Sequence, residues 1–305
     1  MGLLGFFRDS QQVSKQDLAA IEEVVEVCER QCGDCDAEEG HAAIESDEAK
    51  FGKLKIEHDK PLYGSSKTAK IHFVVPTSQT DWEHDACSEK KGSVQYQIAE
   101  WIDKRGSDFS TKGTGESIKC NVSSLPIDAM DIDVMRGMKN DVLVLPHFLR
   151  IKALAASDVK DQLDELVPLL VENQRDQLLT RSNIEEAREN SFVFLCSHKT
   201  RDKRCGITAP ILQKIFHQEL QQHGLYRDNS DFRPGGCVVG FVNHVGGHKF
   251  AANVILYLKS SHSLIWLARV TPKNVPAIVN LMIVPEKPQL PWPEKVRCVE
   301  QYAAW

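Results

Sequence analysis

The chain has 305 residues, of which 42% are hydrophobic and 26% are charged, and this length allows two domains that each bury a core. No apolar run approaches the roughly 20 residues that span a bilayer. The net charge of −6 provides no overall basic field for nucleic acid. We therefore expect no membrane partner and no nucleic-acid partner.

The cysteine content points to a reducing compartment. Nine cysteines occur in a chain whose start, MGLLGFFRDSQQ, lacks the basic region and long apolar core of a secretory signal. An odd number of thiols without an export signal is typical of proteins that use them as core residues, metal ligands or redox groups. We expect a cytoplasmic protein, with the nucleus as a second compartment.

Residues 1–65 read as a helix followed by an acidic linker. Residues 1–60 hold fifteen acidic and seven basic side chains, the opposite of an Arg-rich mitochondrial presequence. Ser14 caps a predicted helix that ends near Cys32. Cys32-Gly-Asp-Cys35 matches the C-x-x-C pattern of a redox dithiol, although acidic neighbours raise thiol pKa values and weaken that interpretation. The role of Cys28 beside this pair stays open.

Residues 66–185 form the first predicted α/β domain. Its two unpaired thiols, Cys87 and Cys120, are interpreted as buried core residues. The predicted elements, in chain order, are strand Lys70–Pro76, helix Val94–Lys104, strand Lys119–Val122, strand Asp141–Pro146 and helix Val159–Leu179.

Residues 186–305 form the second predicted domain. The predicted elements are strand Ser191–Leu195, helix Ala209–His223, strands Cys237–Val242, Asn253–Leu258 and Ser263–Val270, helix Val275–Met282 and a Pro-rich tail. Both domains show a strand, a loop, an amphipathic helix and later strands, which implies a mixed or parallel sheet in each. We therefore predict an α/β fold with two small α/β domains, the first a degenerate repeat of a thioredoxin-type second domain.

Four potential metal ligands lie in the second domain. Eight residues separate Cys196 from Cys205, which is too far for a zinc knuckle. Cys205 precedes the predicted helix at Ala209, whose N-terminus stabilises thiolates. His244-Val-Gly-Gly-His248 contains adjacent glycines, so a turn is expected there instead of a helix.

Two cysteines and two histidines suit more than one metal centre. They bind one zinc ion tetrahedrally, or a 2Fe–2S cluster with the cysteines on one iron and the histidines on the other. A glycine-rich turn beside unrelated core cysteines is the non-metal alternative, and the residues by themselves leave all three open. Nearby, His198 is interpreted as a solvated polar residue and Cys237 as a buried strand residue.

Two segments carry a family resemblance. CSHKTRDKRCG, which starts at Cys196, and HVGGHKFAAN, which starts at His244, closely resemble the signature segments of the sucrase/ferredoxin-like family of fungi and plants. The pattern at 70–104 and the segment DVLVLP extend the resemblance loosely over 66–305. It implies a thioredoxin-like ferredoxin with a 2Fe–2S cluster under bis-histidinyl ligation. The ligands that it implies are Cys196, Cys205, His244 and His248.

The resemblance also implies a role. Such a protein is a one-electron carrier of the cytosolic branch, linked to redox homeostasis and to tolerance of oxidants or xenobiotics, and a flavoprotein reductase is the expected donor. The final Trp305 resembles the aromatic tail by which clients dock on the cytosolic iron–sulfur targeting complex. A structural zinc-binding interaction module, and a thiol oxidoreductase using Cys32 and Cys35 or Cys87, are the alternative functions. No nucleophile–base pair is evident, so an electron carrier is expected in preference to a catalyst.

Overall fold

The computed structural model describes residues 13–28, 42–109 and 117–303. Within these ranges the helices are α1 (Lys15–Glu22), α2 (Ala42–Phe51), α3 (Val94–Arg105), α4 (Ile132–Met135), α5 (Val159–Val171), α6 (Arg175–Leu179), α7 (Lys203–Gln222) and α8 (Asn274–Ile278). The strands are β1 (Glu26–Val27), β2 (Ala69–Pro76), β3 (Ser117–Ser123), β4 (Lys139–Leu145), β5 (Leu149–Ala155), β6 (Ile184–Glu186), β7 (Ser191–Cys196), β8 (Cys237–Val242), β9 (Val254–Leu258), β10 (Ser263–Leu267), β11 (Gln289–Leu290) and β12 (Val296–Gln301).

Ten of the described strands form one mixed sheet, in the order β12-β10-β9-β7-β8-β3-β2-β4-β5-β6. Strand β7 is parallel to β8 and antiparallel to β9, which is antiparallel to β10. Strand β2 has the same relation to β3, β4 and β5. Helices α3 and α7 make the two parallel crossovers. The two halves therefore repeat one thioredoxin-like arrangement, which confirms the α/β fold.

The halves meet at the centre of the sheet. Strands β3 and β8 are antiparallel there, with Ser123 opposite Val242. The expected boundary between 66–185 and 186–305 falls at the end of β6, just before β7. Because a single sheet joins both halves, the division into two domains stays a prediction.

Alternating side chains bury both faces of the sheet. In β2, Ile71 and Phe73 belong to the larger core cluster, whereas Val74 belongs to a second cluster. Four apolar residues of α7 are buried against the larger cluster, as their helical spacing predicts: Leu212, Ile215, Phe216 and Leu220. A strand buried on both faces reads as a continuous apolar run, which is why β2 and β7 are visible in the sequence.

The N-terminal segment differs from the expectation. Helix α1 ends at Glu22, well before Cys32, and α2 forms where the acidic linker is expected, with Phe51 buried at its end. The residues after α2 pack against the second half of the chain. Arg269 donates hydrogen bonds there to the carbonyls of Glu57 and Lys60.

Further differences lie at the sheet edges. The expected helix Val159–Leu179 is divided into α5 and α6, and Asn173 between them has a left-handed φ of 59°, a conformation that ends helices. Strands β5, β6 and β12 are not predicted. In β12 a buried charged residue, Arg297, interrupts the apolar pattern, so the segment looks like a polar tail.

Candidate metal centre

Two buried thiols come from adjacent elements. Cys196 ends β7 and is 2% exposed, whereas Cys205 lies in the first turn of α7 and is 0% exposed. Helix α7 starts earlier than the expected Ala209 because the Asp202 carboxylate accepts a hydrogen bond of 2.9 Å from the backbone N–H of Arg204. Cys205 therefore lies inside the N-terminal turn, where unpaired N–H groups favour negative charge.

The two thiols are hydrogen-bonded to each other. The hydrogen bond with Cys205 holds the pKa of Cys196 well below its usual range, and the His244 ring acts in the same direction. The same hydrogen bond, together with burial, raises the pKa of Cys205. Cys196 is therefore the thiol that ionises first, and the thiolate is the form that binds iron or zinc.

The histidines flank a tight turn. Gly246 and Gly247 have φ values of 84° and 68°, in the left-handed region that glycine favours. The ring centroids of His244 and His248 are 5.2 Å apart. The expected turn is thus confirmed, and it brings two imidazoles side by side.

The four side chains form one row of contacts. They follow one another in the order Cys205, Cys196, His244 and His248, through the thiol contact, the thiol–imidazole contact and the ring pair. Among the described residues, no three His, Cys, Asp or Glu side chains converge where one ion could bind. The buried Nδ1 of His244 has no hydrogen-bond partner in the described part of the chain, so it is a nitrogen suited to coordination. Two sulfur and two nitrogen donors are, by their chemistry, a donor set compatible with a 2Fe–2S group.

The site is polarised between interior and surface. The thiols are buried, His244 is half-buried and His248 is exposed. A cavity of about 250 Å³ adjoins His244. Its other walls include His72, Lys119, Tyr257 and Trp266. The histidine end of the site therefore faces outward.

His198 corrects a sequence interpretation. It is 1% exposed, not solvated. Its Nε2 is 2.9 Å from the carbonyl oxygen of Trp82, and its Nδ1 accepts a 3.1 Å hydrogen bond from the backbone N–H of His244. These contacts assign the proton to Nε2. His198 thus links the cysteine loop to the histidine turn and to the first half of the chain.

Arg297 is a second residue that sequence reasoning missed. It is 2% exposed, and its Nη1 donates a 2.9 Å hydrogen bond to the carbonyl of Gly246, between the two histidines. A Cβ at Gly247 would collide with the guanidinium. Arg297 falls in the expected Pro-rich tail, and nothing in the sequence indicates that a charged residue there is buried behind the histidine turn.

The remaining sequence-predicted residues lie elsewhere. Cys237 is a buried strand residue, as expected. Cys87 and Cys120 are half-buried neighbours, and the Cys87 sulfur lies 3.6 Å from the Cys120 carbonyl. Three candidates, Cys32, Cys35 and Trp305, fall outside the described residues.

Four basic side chains lie between Cys196 and Cys205: Lys199, Arg201, Lys203 and Arg204. Lys199, Arg201 and Lys203 are exposed, and Arg201 contacts His84. Arg204 forms an ion pair of 2.7 Å with Asp202. Three of these four cations are therefore exposed, whereas Arg204 is neutralised by Asp202.

Comparison with known proteins places these segments in a family. The family model described as sucrase/ferredoxin-like matches residues 62–298. The chain is 56% identical to Actin patches distal protein 1 of Saccharomyces cerevisiae over 321 aligned positions, which cover 100% of both chains. It is 38% identical to Altered inheritance of mitochondria protein 32 of Debaryomyces hansenii, over 50% of this chain and 58% of that protein.

Shorter matches and other comparisons add detail. The Meyerozyma guilliermondii protein with the name Altered inheritance of mitochondria protein 32 is 34% identical over 38% of this chain and 39% of its own length. No solved structure matches the chain. In the described residues, no helix has the length and apolar character needed to cross a bilayer.

Proposed function

Because this chain belongs to the sucrase/ferredoxin-like family, we propose that it holds a 2Fe–2S cluster and carries single electrons in the cytoplasm. The proposed ligands are Cys196, Cys205, His244 and His248. The observation that carries the proposal is the pairwise arrangement of two buried thiols and two imidazoles, one of which has a buried nitrogen without a hydrogen-bond partner in the described structure.

The arrangement favours the cluster over zinc. A structural zinc ion needs four ligands around one point, and the eight residues between Cys196 and Cys205 are too many for a zinc knuckle. A binuclear cluster needs two ligands at each end, which the contacts between the thiols and between the imidazole rings supply. The zinc-binding interaction module is therefore the weaker alternative.

The chain's own residues have distinct roles. When bound, the cluster supplies a one-electron redox couple, whose potential histidine ligation raises relative to all-cysteine ligation. Cys196 and Cys205 hold the buried end, and His244 and His248 hold the outward end. An imidazole bound to a metal through one nitrogen retains a second nitrogen that exchanges a proton, so electron transfer is expected to depend on pH.

The proposed partners follow from the charged surface. Lys199, Arg201 and Lys203 are exposed in the segment between Cys196 and Cys205, and such cations would attract an acidic flavoprotein reductase. We propose a role in redox homeostasis and oxidant or xenobiotic tolerance, with cytoplasmic and nuclear localisation. Docking of the Trp305 tail on the cytosolic iron–sulfur targeting complex is part of the proposal and rests on the sequence only.

The thiol oxidoreductase is the remaining alternative. Its candidates Cys32 and Cys35 lie outside the described residues. The hydrogen bond with Cys87 raises the pKa of Cys120 well above its usual range, which opposes attack by a Cys120 thiolate. No described contact activates Cys87 as a nucleophile, so the cluster is the better supported function.

Purification without oxygen tests the proposal. The protein should be brown, with visible charge-transfer bands, equal amounts of iron and acid-labile sulfide, and an EPR signal after reduction by dithionite. Cys205→Ala should lose the iron, whereas Cys237→Ala, a change at a buried thiol remote from the site, should keep it. A colourless protein with stoichiometric zinc would overturn the proposal.

A further inference from the structure

Arg297 is a buried cation directly behind the histidine turn. It lies in β12, and its guanidinium is 4.7 Å from the Trp266 ring centroid and 5.7 Å from the Phe250 ring centroid. The planar group is thus held between aromatic surfaces, where water has little access and where a charge acts over a longer distance than it does in solvent.

All the hydrogen-bond acceptors of Arg297 in the described part of the chain are uncharged. Nη1 donates to the carbonyl of Gly246 and, at 2.8 Å, to the side-chain oxygen of Asn253. Nε and Nη2 donate to the hydroxyl and carbonyl of Ser65. The guanidinium therefore links the histidine turn and Asn253, which directly precedes β9, to Ser65, and none of these partners neutralises its charge.

An unneutralised buried charge destabilises a fold unless an opposite charge lies near. Burial lowers the pKa of Arg297, and the sulfurs of Cys298 and Cys196 oppose that shift. Cys196 is one of the proposed ligands, so the field of this cation reaches the site. None of the acceptors of Arg297 in the described residues is a carboxylate, so none neutralises its charge.

We propose that Arg297 is a positioning residue of the metal centre, which fixes the turn from His244 to His248 and stabilises the negative charge that reduction adds. The inference rests on the proposed function: two ferric ions, two sulfides and two thiolates sum to no net charge when both imidazoles are neutral. One-electron reduction then adds one negative charge, and a fixed cation favours the reduced form. Arg297 therefore raises the reduction potential.

Two variants remove the charge in different ways. Arg297→Gln deletes it, and Asn253→Asp neutralises it with a nearly isosteric carboxylate that still accepts from Arg297. Arg297→Lys keeps the charge but removes the planar guanidinium that donates to Gly246, Asn253 and Ser65 together. The matched control is Arg269→Gln, because Arg269 is also buried, lies 5.3 Å from the Phe250 ring centroid, and donates to Glu57 and Lys60 instead of the turn.

The first readout is the midpoint potential of the full-length protein, titrated with dithionite and followed by EPR. Arg297→Gln and Asn253→Asp should make reduction at least about tenfold less favourable, a decrease of about 59 mV for one electron. Arg297→Lys and Arg269→Gln should remain near the unaltered value. If Arg297→Gln does not fold, Asn253→Asp decides the charge effect. Iron-loaded variants with unchanged potentials would overturn the inference.

The second readout needs no metal. Amide hydrogen exchange of residues 244–248 in the metal-free chain should accelerate at least tenfold in Arg297→Lys and remain unchanged in Arg269→Gln. Unchanged exchange in Arg297→Lys would overturn the positioning role. An unaltered protein without iron would instead refute the proposed function, and this exchange measurement would still decide whether Arg297 fixes the turn.

Discussion

The backbone N–H of His244 donates a hydrogen bond of 3.1 Å to Nδ1 of His198. This bond connects the histidine turn to the cysteine loop, and the other nitrogen of His198 contacts Trp82. In His198→Ala, two buried backbone groups lose their partners, at a cost of about 1–3 kcal/mol each. We expect a lower thermal unfolding temperature and faster iron loss, measured by calorimetry and by absorbance decay. His223→Ala, a change at an exposed residue, is the control, and equal behaviour of the two variants would contradict the link.

Replacement of a histidine ligand by cysteine should change the redox couple without removing iron. A thiolate brings a negative charge where the imidazole is neutral, so His244→Cys and His248→Cys should lower the midpoint potential. Each change also removes a proton-binding group, so the dependence of the potential on pH between about 6 and 9 should weaken. EPR-monitored titrations at several pH values measure both effects, with His223→Cys as the control. A pH-independent potential in the unaltered protein would count against the histidine ligands.

The two glycines of the turn should differ in sensitivity. Both have positive φ values, but a Cβ at Gly246 meets no atom within 4 Å, whereas one at Gly247 meets the Arg297 guanidinium. Gly246→Ala should cost about 1 kcal/mol of stability for the left-handed backbone. Gly247→Ala should cost more and release iron faster, because the turn or the arginine must move. Unfolding in urea and iron retention test the order, and a milder effect of Gly247→Ala would refute it.

Acid should destabilise the fold through His72. This residue is 3% exposed and contacts Tyr257 and Asn121, and burial lowers its pKa to about 3. Below the unfolded pKa of about 6.5 the unfolded chain binds a proton that the folded chain does not. Stability should therefore fall by about 1.4 kcal/mol per pH unit for this group, from about pH 6.5 towards pH 3.

The His72 effect is separable from other acid effects by substitution. His72→Gln should be less stable than the unaltered protein at pH 7 but should show a shallower decline with acid, measured by urea unfolding across the same pH range. His223→Gln should leave the slope unchanged. Identical slopes for all three proteins would show that His72 is not the responsible group.

The exposed cations beside the site should accelerate encounter with an acidic donor. Reversal of charge in Lys199→Glu with Lys203→Glu should slow reduction by an acidic flavoprotein reductase roughly tenfold at low salt. The difference should shrink as salt increases. Stopped-flow reduction rates measure it, and Lys214→Glu, on an exposed position of α7, provides the control. Equal rates at low salt would exclude steering by this loop.

Local sequence patterns predict much of the architecture. The apolar strands β2 and β7, the helices α3 and α7 and the turn between the histidines follow from residue type and spacing, since each depends on neighbours in the chain. The strands β5, β6 and β12, at or next to the edges of the sheet, escape prediction because their side chains mix polar and apolar types. Helix α7 is predicted to start late, because the capping role of Asp202 depends on a hydrogen bond that apolar periodicity does not reveal.

The sequence proposed the four ligands, because two segments that hold these thiols, imidazoles and glycines resemble the family's signature segments. The tertiary structure decided how the four are arranged: Cys196 lies between Cys205 and His244, the thiols are buried and the imidazoles face outward. It also decided the supporting residues. His198 and Arg297 look like surface polar residues, and only the packing of distant segments buries them and aims their donors and acceptors at the turn.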